Sequence, residues 1–186
     1  MLSLFFVDEL SGSKSQILDS DEAHHAIKVM RLKIGEEIKI SDGEGSWVSG
    51  PISEIAKKSL KITVTSNGVE KIKKPELILV QAITKSDRNK EMLELITVAG
   101  VDRIIPWQAD RCISKWQSNS YDKWSTSIKE ASKQSRRVNL PKLEKVMSTK
   151  QIIEQMAVSD CIIVFHESAD QKFSDLTISQ NASAIY

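Results

Sequence analysis

Glu76-Leu-Ile-Leu-Val-Gln-Ala-Ile-Thr-Lys-Ser-Asp-Arg88 is an apolar run that ends on a charged cluster. The run 76–83 has the length and the Leu/Ile/Val content of a strand buried on both faces. The residues after it, 87–98, have helical character and stop at Gly100, a residue suited to a helix C-terminus. A second apolar segment follows in Val101-Asp-Arg-Ile-Ile-Pro-Trp107, with a strand expected over 103–107. A helix over 120–135 then runs through Glu130-Ala-Ser-Lys-Gln-Ser-Arg-Arg137. Strand, helix, strand, helix in that order implies a parallel sheet covered by helices.

The same alternation continues toward Tyr186. Pro141 to Met147 reads as extended, and Ser148 to Met156 as a helix with Ser148 at its cap. Cys161-Ile-Ile-Val-Phe165 reads as a buried strand, and residues 182–186 begin another. The chain stops inside that apparent strand, so either the sheet ends there or the polypeptide is a fragment of something longer.

Toward the N-terminus the pattern changes. Asn67 to Lys74 is polar, carries Gly68 and ends at Pro75, which reads as a linker. Residues 1–72 read as a small β-rich domain. Short strands are expected at Phe5–Val7, Glu37–Ser41, Trp47–Val48, Ile52–Ile55 and Leu60–Thr65, with Pro51 marking an edge or a bulge. Ala23, Ala26, Ile27 and Met30 share one face of a helix over 20–30, with Asp19 or Ser20 at its start. Asp42-Gly-Glu-Gly45 is a tight turn. Short strands with turn signals and one helix suggest a small barrel. The expected domains are therefore 1–72 and 75–186.

With 186 residues, 40% apolar and 27% charged, the chain has an ordinary globular composition. No apolar run reaches the roughly 20 residues that span a bilayer. The apolar start, Met1 to Val7, is short, lacks basic residues and meets Asp8 and Glu9, unlike a signal peptide. Cys112 and Cys161 lack metal-ligand spacing and read as reduced thiols in the cytoplasm. A Cys/His metal set, a Ser/His/Asp triad and a phosphate-binding glycine loop are all missing from the sequence.

Net charge is only +1, but it is unevenly spread. Residues 103–145 carry ten Lys/Arg against four Asp/Glu, whereas residues 1–74 carry eleven of each. A local basic face on a near-neutral protein suits a specific anionic partner, with RNA phosphate the first candidate. A solvated helix face is the plainer explanation of the same charges.

The order of motifs resembles the RsmE family, enzymes that methylate N3 of a uridine in 16S ribosomal RNA with S-adenosylmethionine. The quoted residues are His25-Ala-Ile-Lys-Val-Met-Arg31 with Leu32-Lys-Ile-Gly35, the turn Asp42-Gly43, Lys85-Ser-Asp-Arg88, Gly100 to Pro106, and Glu130, Ala131, Gln134, Ser135 and Arg137. Leu4, Met30, Ser86 and Arg136 depart from the family pattern. The resemblance implies an α/β protein: an N-terminal PUA-like β-barrel, then a SPOUT-type parallel sheet. Family members continue through a Gly-Pro-Glu-Gly-Gly loop and a Leu-Gly-x-x-Ile-Leu-Arg-x-Glu-Thr-Ala segment that tie a trefoil knot around the cofactor. Neither segment occurs in this sequence, so the expected sheet is incomplete, truncated before the knot.

The resemblance also implies roles. Methyl transfer to uridine N3 needs that nitrogen deprotonated and the developing charge stabilised by cationic donors. Arg88 and Arg137 are the catalytic candidates. Ion pairing with Asp87 or Glu130, or capping of a helix end, is the structural alternative. Arg31, Lys33, Lys85, Arg111 and Gln134 are candidate RNA contacts. His166 and Glu167 are candidates for the start of the cofactor pocket, most of which the resemblance places after residue 186, so a chain ending there is expected to be inactive; no metal is implied. His24 and His25 sit on the barrel helix, where packing explains them better than catalysis. Trp107, Trp116 and Trp124 could stack on bases, but core packing is the simpler expectation. The expected partner is 16S rRNA in the small ribosomal subunit, with a homodimer expected of the family. A noncatalytic RNA-binding protein and a small-anion binding domain are the competing readings.

Overall fold

The structure, a computed structural model, describes residues 2–156, 161–178 and 182–186. It divides into two compact units. One comprises residues 1–71 and 132–140, the other residues 72–131 and 141–186.

The first unit is built on β1 (Ser3–Phe6), β2 (Ser15–Leu18), α1 (Ser20–His24), β3 (Glu37–Ser41), β4 (Ser46–Ile55), β5 (Leu60–Thr63) and β6 (Ser66–Val69). The sheet order is β1-β3-β4-β5-β2, and β6 pairs with the first half of β4. β1 runs parallel to β3, and the other pairs are antiparallel. Phe5 on β1 and Leu18 on β2 lie at opposite ends of that order yet belong to one buried cluster, with Ile38, Ile40, Ile52 and Ile62. The sheet therefore curls around a single core. Ala23 and Ala26 close it from the helix, and small residues there let the helix backbone approach closely.

Three details of this unit differ from the sequence expectations. The helix expected over 20–30 is α-helical only to His24 and continues as a π-turn over His25–Val29. Trp47–Val48 and Ile52–Ile55 are one strand, β4, with a register shift between Ile52 and Glu54 just after Pro51. The strand is central, so the proline is tolerated beside an irregularity and not at an edge. The polar stretch taken as linker contains β6. Gly68 has no side chain to hold the Trp47 indole away, and an added Cβ would lie 2.8 Å from it.

The second unit contains β7 (Glu76–Ala82), α2 (Ser86–Ala99), β8 (Arg103–Gln108), α3 (Ser120–Ser135), β9 (Lys142–Leu143), β10 (Met147–Ser148), α4 (Thr149–Met156) and β11 (Ala184–Ile185). The last four residues of α3 belong to the first unit. The sheet order is β10-β8-β7-β11, with β9 also on β8, and every pairing is parallel. Neighbouring residues of β8 serve opposite faces. Ile104 packs with Leu93, Trp124, Ile128 and Leu143 under α2 and α3, while Ile105 packs with Ile78 and Ile152 under α4. This is why 103–107 reads as continuously apolar.

Local chemistry sets the ends of these elements. α2 stops at Gly100, which adopts φ 97°, and the Val101 amide bonds back to the Ile96 carbonyl. The Ser148 hydroxyl accepts from the Gln151 amide, while Gln151 Oε1 accepts from the Ser148 amide, a reciprocal cap for α4. Asp102 ties the sheet, since its carboxylate accepts from the Leu77 amide and its own amide donates to the Leu77 carbonyl. Arg103 forks onto both Glu76 oxygens at 2.7 and 2.8 Å.

Residues 161–165 form no strand, contrary to the sequence expectation. The Ile163 amide donates to the Tyr186 carbonyl and the Tyr186 amide to the Cys161 carbonyl. Val164 and Phe165 are 74% and 77% exposed, so among the described residues no layer covers this segment. Apolar composition alone does not make a strand without neighbours to pair with.

Candidate functional site

Carboxyl ends of parallel strands leave loops free to carry chemistry. In the second unit those of β7 and β8 lead into two side-chain clasps. After β7, Asn89 Oδ1 accepts from the Thr84 amide and, at 2.6 Å, from its hydroxyl, and Asn89 Nδ2 donates to the Thr84 carbonyl. After β8, Gln108 Oε1 accepts from the Trp116 amide at 2.9 Å and Gln108 Nε2 donates to the Ser114 carbonyl. The strand ends and the loop 109–117 are thus held by neutral amides, which sequence reading passed over. Only Gln108, the last residue of β8, carried a positional signal; Asn89 lies in the first turn of α2 and carried none.

A cleft of about 760 Å³ opens between these clasps and the start of α3. Thr84, Asn89, Trp116, Lys115, Lys123 and Trp124 line it, among others. Trp116 is half-buried and meets the buried Trp124 edge to face at 5.1 Å.

The predicted residues of this unit lie as follows. Lys85 caps α2 in extended conformation and is exposed. Arg88 is exposed in the first turn of α2, and among the described residues no carboxylate lies in ion-pair range of it, so the suggested pairing with Asp87 is not formed. Arg111 is exposed in the turn after β8, where the Cys112 amide bonds to the Ala109 carbonyl. His166 and Glu167 sit in an exposed turn, where His166 Nδ1 accepts from the Ser168 amide. They line a second groove, about 480 Å³, with Ile162, Val164, Phe165 and Phe173. The Phe165 and Phe173 rings lie 5.7 Å apart. The two cavities share no lining residue.

Arg31, Lys33, Gln134 and Arg137 belong to the first unit. Arg31 is exposed and holds φ 55°, the left-handed region uncommon for side-chain-bearing residues. Lys33 is exposed, and Glu36 Oε1 accepts from its amide. Gln134 is exposed, while Arg137 is half-buried beside fully buried Val138. His25 packs edge-on to Phe5, a structural placement. Trp124 is core, and Trp107 donates its indole N–H to the Thr149 hydroxyl. Among the described residues no group of three His, Cys, Asp or Glu is placed to hold a metal.

A family model described as the RNA methyltransferase domain matches residues 71–186, and one described as the RNA methyltransferase PUA domain matches 18–65. The ribosomal RNA small subunit methyltransferase E of Mycobacterium tuberculosis is 31% identical over 189 residues, covering 97% of this chain and 72% of that protein. The chain belongs to the ribosomal RNA small subunit methyltransferase E family. The Bacillus subtilis protein of the same name is 26% identical over 83% of this chain and 62% of its own length. A predicted RNA methyltransferase of Thermotoga maritima superposes with TM-score 0.73 at 25% identity, covering 98% of this chain and 78% of that one. The methyltransferase E structure from Neisseria gonorrhoeae, described as bound to S-adenosyl methionine, gives TM-score 0.80 at 20% identity over 100% of this chain and 78% of that one. The expected α/β class, a PUA domain followed by a parallel methyltransferase sheet, stands. No helix among the described residues is long and apolar enough to cross a membrane.

Proposed function

We propose that the protein is an S-adenosylmethionine-dependent methyltransferase acting on N3 of a uridine in the 16S rRNA of the small ribosomal subunit. The observation that carries the reading is the match to the methyltransferase E family over 97% of this chain, with both its PUA and methyltransferase parts in order. The proposed domains are a barrel, 1–72, and a methyltransferase domain, 75–186, acting in the cytoplasm and, as in the family resemblance, as a homodimer.

The groove beside His166 and Glu167 fits the adenosine part of the cofactor. Its apolar and aromatic walls suit a purine, and the Glu167 carboxylate suits ribose hydroxyls. The bound cofactor supplies an electrophilic methyl on sulfur. Arg88, free of a carboxylate, is assigned to stabilise negative charge on the pyrimidine as N3 gives up its proton. Arg137 is assigned the same kind of role from the barrel unit. Lys85 and Arg111 are assigned to RNA phosphates at the strand ends, Arg31 and Lys33 to phosphates on the barrel, and Gln134 to a base edge.

The test is calorimetry with S-adenosylmethionine on a protein that continues past residue 186 through the family's knot segments, then incubation with small subunits purified from a strain lacking the modification. Appearance of N3-methyluridine by mass spectrometry is the expected result. RNA binding with neither cofactor heat nor methyl transfer would establish the noncatalytic RNA-binding alternative.

A further inference from the structure

Three lysines and one aspartate, Lys90, Lys115, Lys123 and Asp122, stand around the cleft between α2 and α3. Lys90 spends its charge on Glu94 one turn along the helix, at 3.9 Å. Lys115 and Lys123 are exposed, and no carboxylate of the described residues reaches them within ion-pair range. Two unneutralised ammonium groups lining one cleft suit anionic oxygens. Part of the same lining is aromatic, from Trp116 and Trp124. Trp116 is fixed from behind by Trp124 and from its backbone by Gln108. A ring so fixed loses little freedom when something stacks on it. The remaining lining mixes hydrogen-bonding Thr84, Ser114 and Gln117 with apolar Ile83, Leu93 and Ile113, and Asp122 adds one carboxylate. The volume lies within the range of small-molecule sites and exceeds what a single base requires.

We propose that this cleft is an anchor for one unpaired nucleotide of the RNA substrate. The base stacks on Trp116 and the flanking phosphates lie on Lys115 and Lys123. The assignment rests on the methyltransferase reading above and adds a second nucleotide site to it. The cleft shares no residue with the groove assigned to the cofactor, so the anchored nucleotide is a neighbour of the modified uridine and not that uridine itself. Stacking is tolerant of base identity, so the anchor selects single-strandedness and not sequence.

The experiment uses the full chain and a short single-stranded oligoribonucleotide, with affinity followed by anisotropy across a salt series. The double variant K115E/K123E is expected to bind more than tenfold more weakly, and its slope of log affinity against log salt should shrink by about 1.4, two phosphate contacts on a single strand. Trp116→Phe keeps an aromatic in the packing and is expected to bind several-fold more weakly with the salt slope unchanged. Circular dichroism melts check that both variants fold. Wild-type affinity and slope in K115E/K123E would overturn the proposal, as would equal binding of the wild type to polyglutamate. Methyl transfer is measured separately. The variants should raise KM for RNA and keep kcat. A wild type that binds the oligonucleotide through these residues but transfers no methyl defeats the methyltransferase reading and leaves the cleft assignment standing.

Discussion

Lys133 Nζ lies 2.5 Å from Glu22 Oε1, with the two side chains only 15% and 12% exposed. One residue comes from the end of α3 and the other from α1, and both lie in the barrel unit. A pair this sheltered is expensive to break from one side, because the remaining carboxylate loses a close cationic neighbour. Lys133→Ala should lower the unfolding free energy by about 3 kcal/mol. Adding Glu22→Gln should recover part of the loss, giving a coupling energy of about 1 kcal/mol or more in a double-mutant cycle. Urea denaturation of the four proteins provides the measurement.

Gln108 holds Ser114 and Trp116 with its two amide atoms. Gln108→Ala should cost about 2 kcal/mol, the loss of two partly buried hydrogen bonds. Amide hydrogen exchange should quicken at Ser114–Trp116 and stay slow in β8. Uniform quickening through β8 would show that the clasp is not local.

Gly50 sits where β4 passes β5 so closely that an added Cβ would fall 1.8 Å from the Thr63 carbonyl oxygen. The nearest atoms it would meet are all backbone, of Thr63 and Thr65, and leave little room to yield. Gly50→Ala should destabilise the barrel by at least about 3 kcal/mol, beyond ordinary overpacking. A melting temperature within a degree or two of the wild type would contradict this.

Arg31 occupies left-handed backbone with an exposed side chain. Arg31→Gly should relieve the backbone and raise stability by up to about 1 kcal/mol. The same change removes one proposed phosphate contact, so the salt slope for RNA should fall by about 0.7. Opposite movement of stability and RNA affinity is the signature to look for.

Arg88 is exposed and forms no ion pair among the described residues. Arg88→Ala should leave the melting temperature unchanged and reduce kcat for methyl transfer by about a hundredfold, the usual cost of one charge-stabilising donor. Unchanged kcat would remove Arg88 from the reaction.

The parallel sheet was legible because its central strand β8 is buried on both faces. Ile78, Ile104 and Ile105 give a continuous apolar signal, and Gly100 marks the helix end with its own backbone requirement. The barrel was harder. β2 is four residues set among serines, and β6 contains Asn67-Gly68, which in sequence looks like a turn. Only the approach of the Trp47 indole explains that glycine, and such a neighbour is invisible along the chain. Residues 161–165 misled in the other direction, since their composition promised burial, yet Ile162, Val164 and Phe165 are exposed. Among candidate site residues, motif spacing located Lys85, Arg88 and Arg111 near strand ends. It missed Asn89 and Gln108, whose roles depend on what their amides reach.

The segment 132–140 returns to the barrel unit. Val138 is 1% exposed against Leu4 and Phe6, its carbonyl accepts from the Ser41 hydroxyl, and the Leu140 amide donates to the Gly43 carbonyl. During synthesis, then, the N-terminal domain must wait. Its last hydrophobic plug emerges only after about half of the following domain has been translated, and until then Leu4 and Phe6 lack their cover. A gene fragment stopped at the apparent linker should yield a sticky, poorly soluble product. One in which residues 132–140 are grafted after Lys71 should be the smallest form of the barrel that stays in solution.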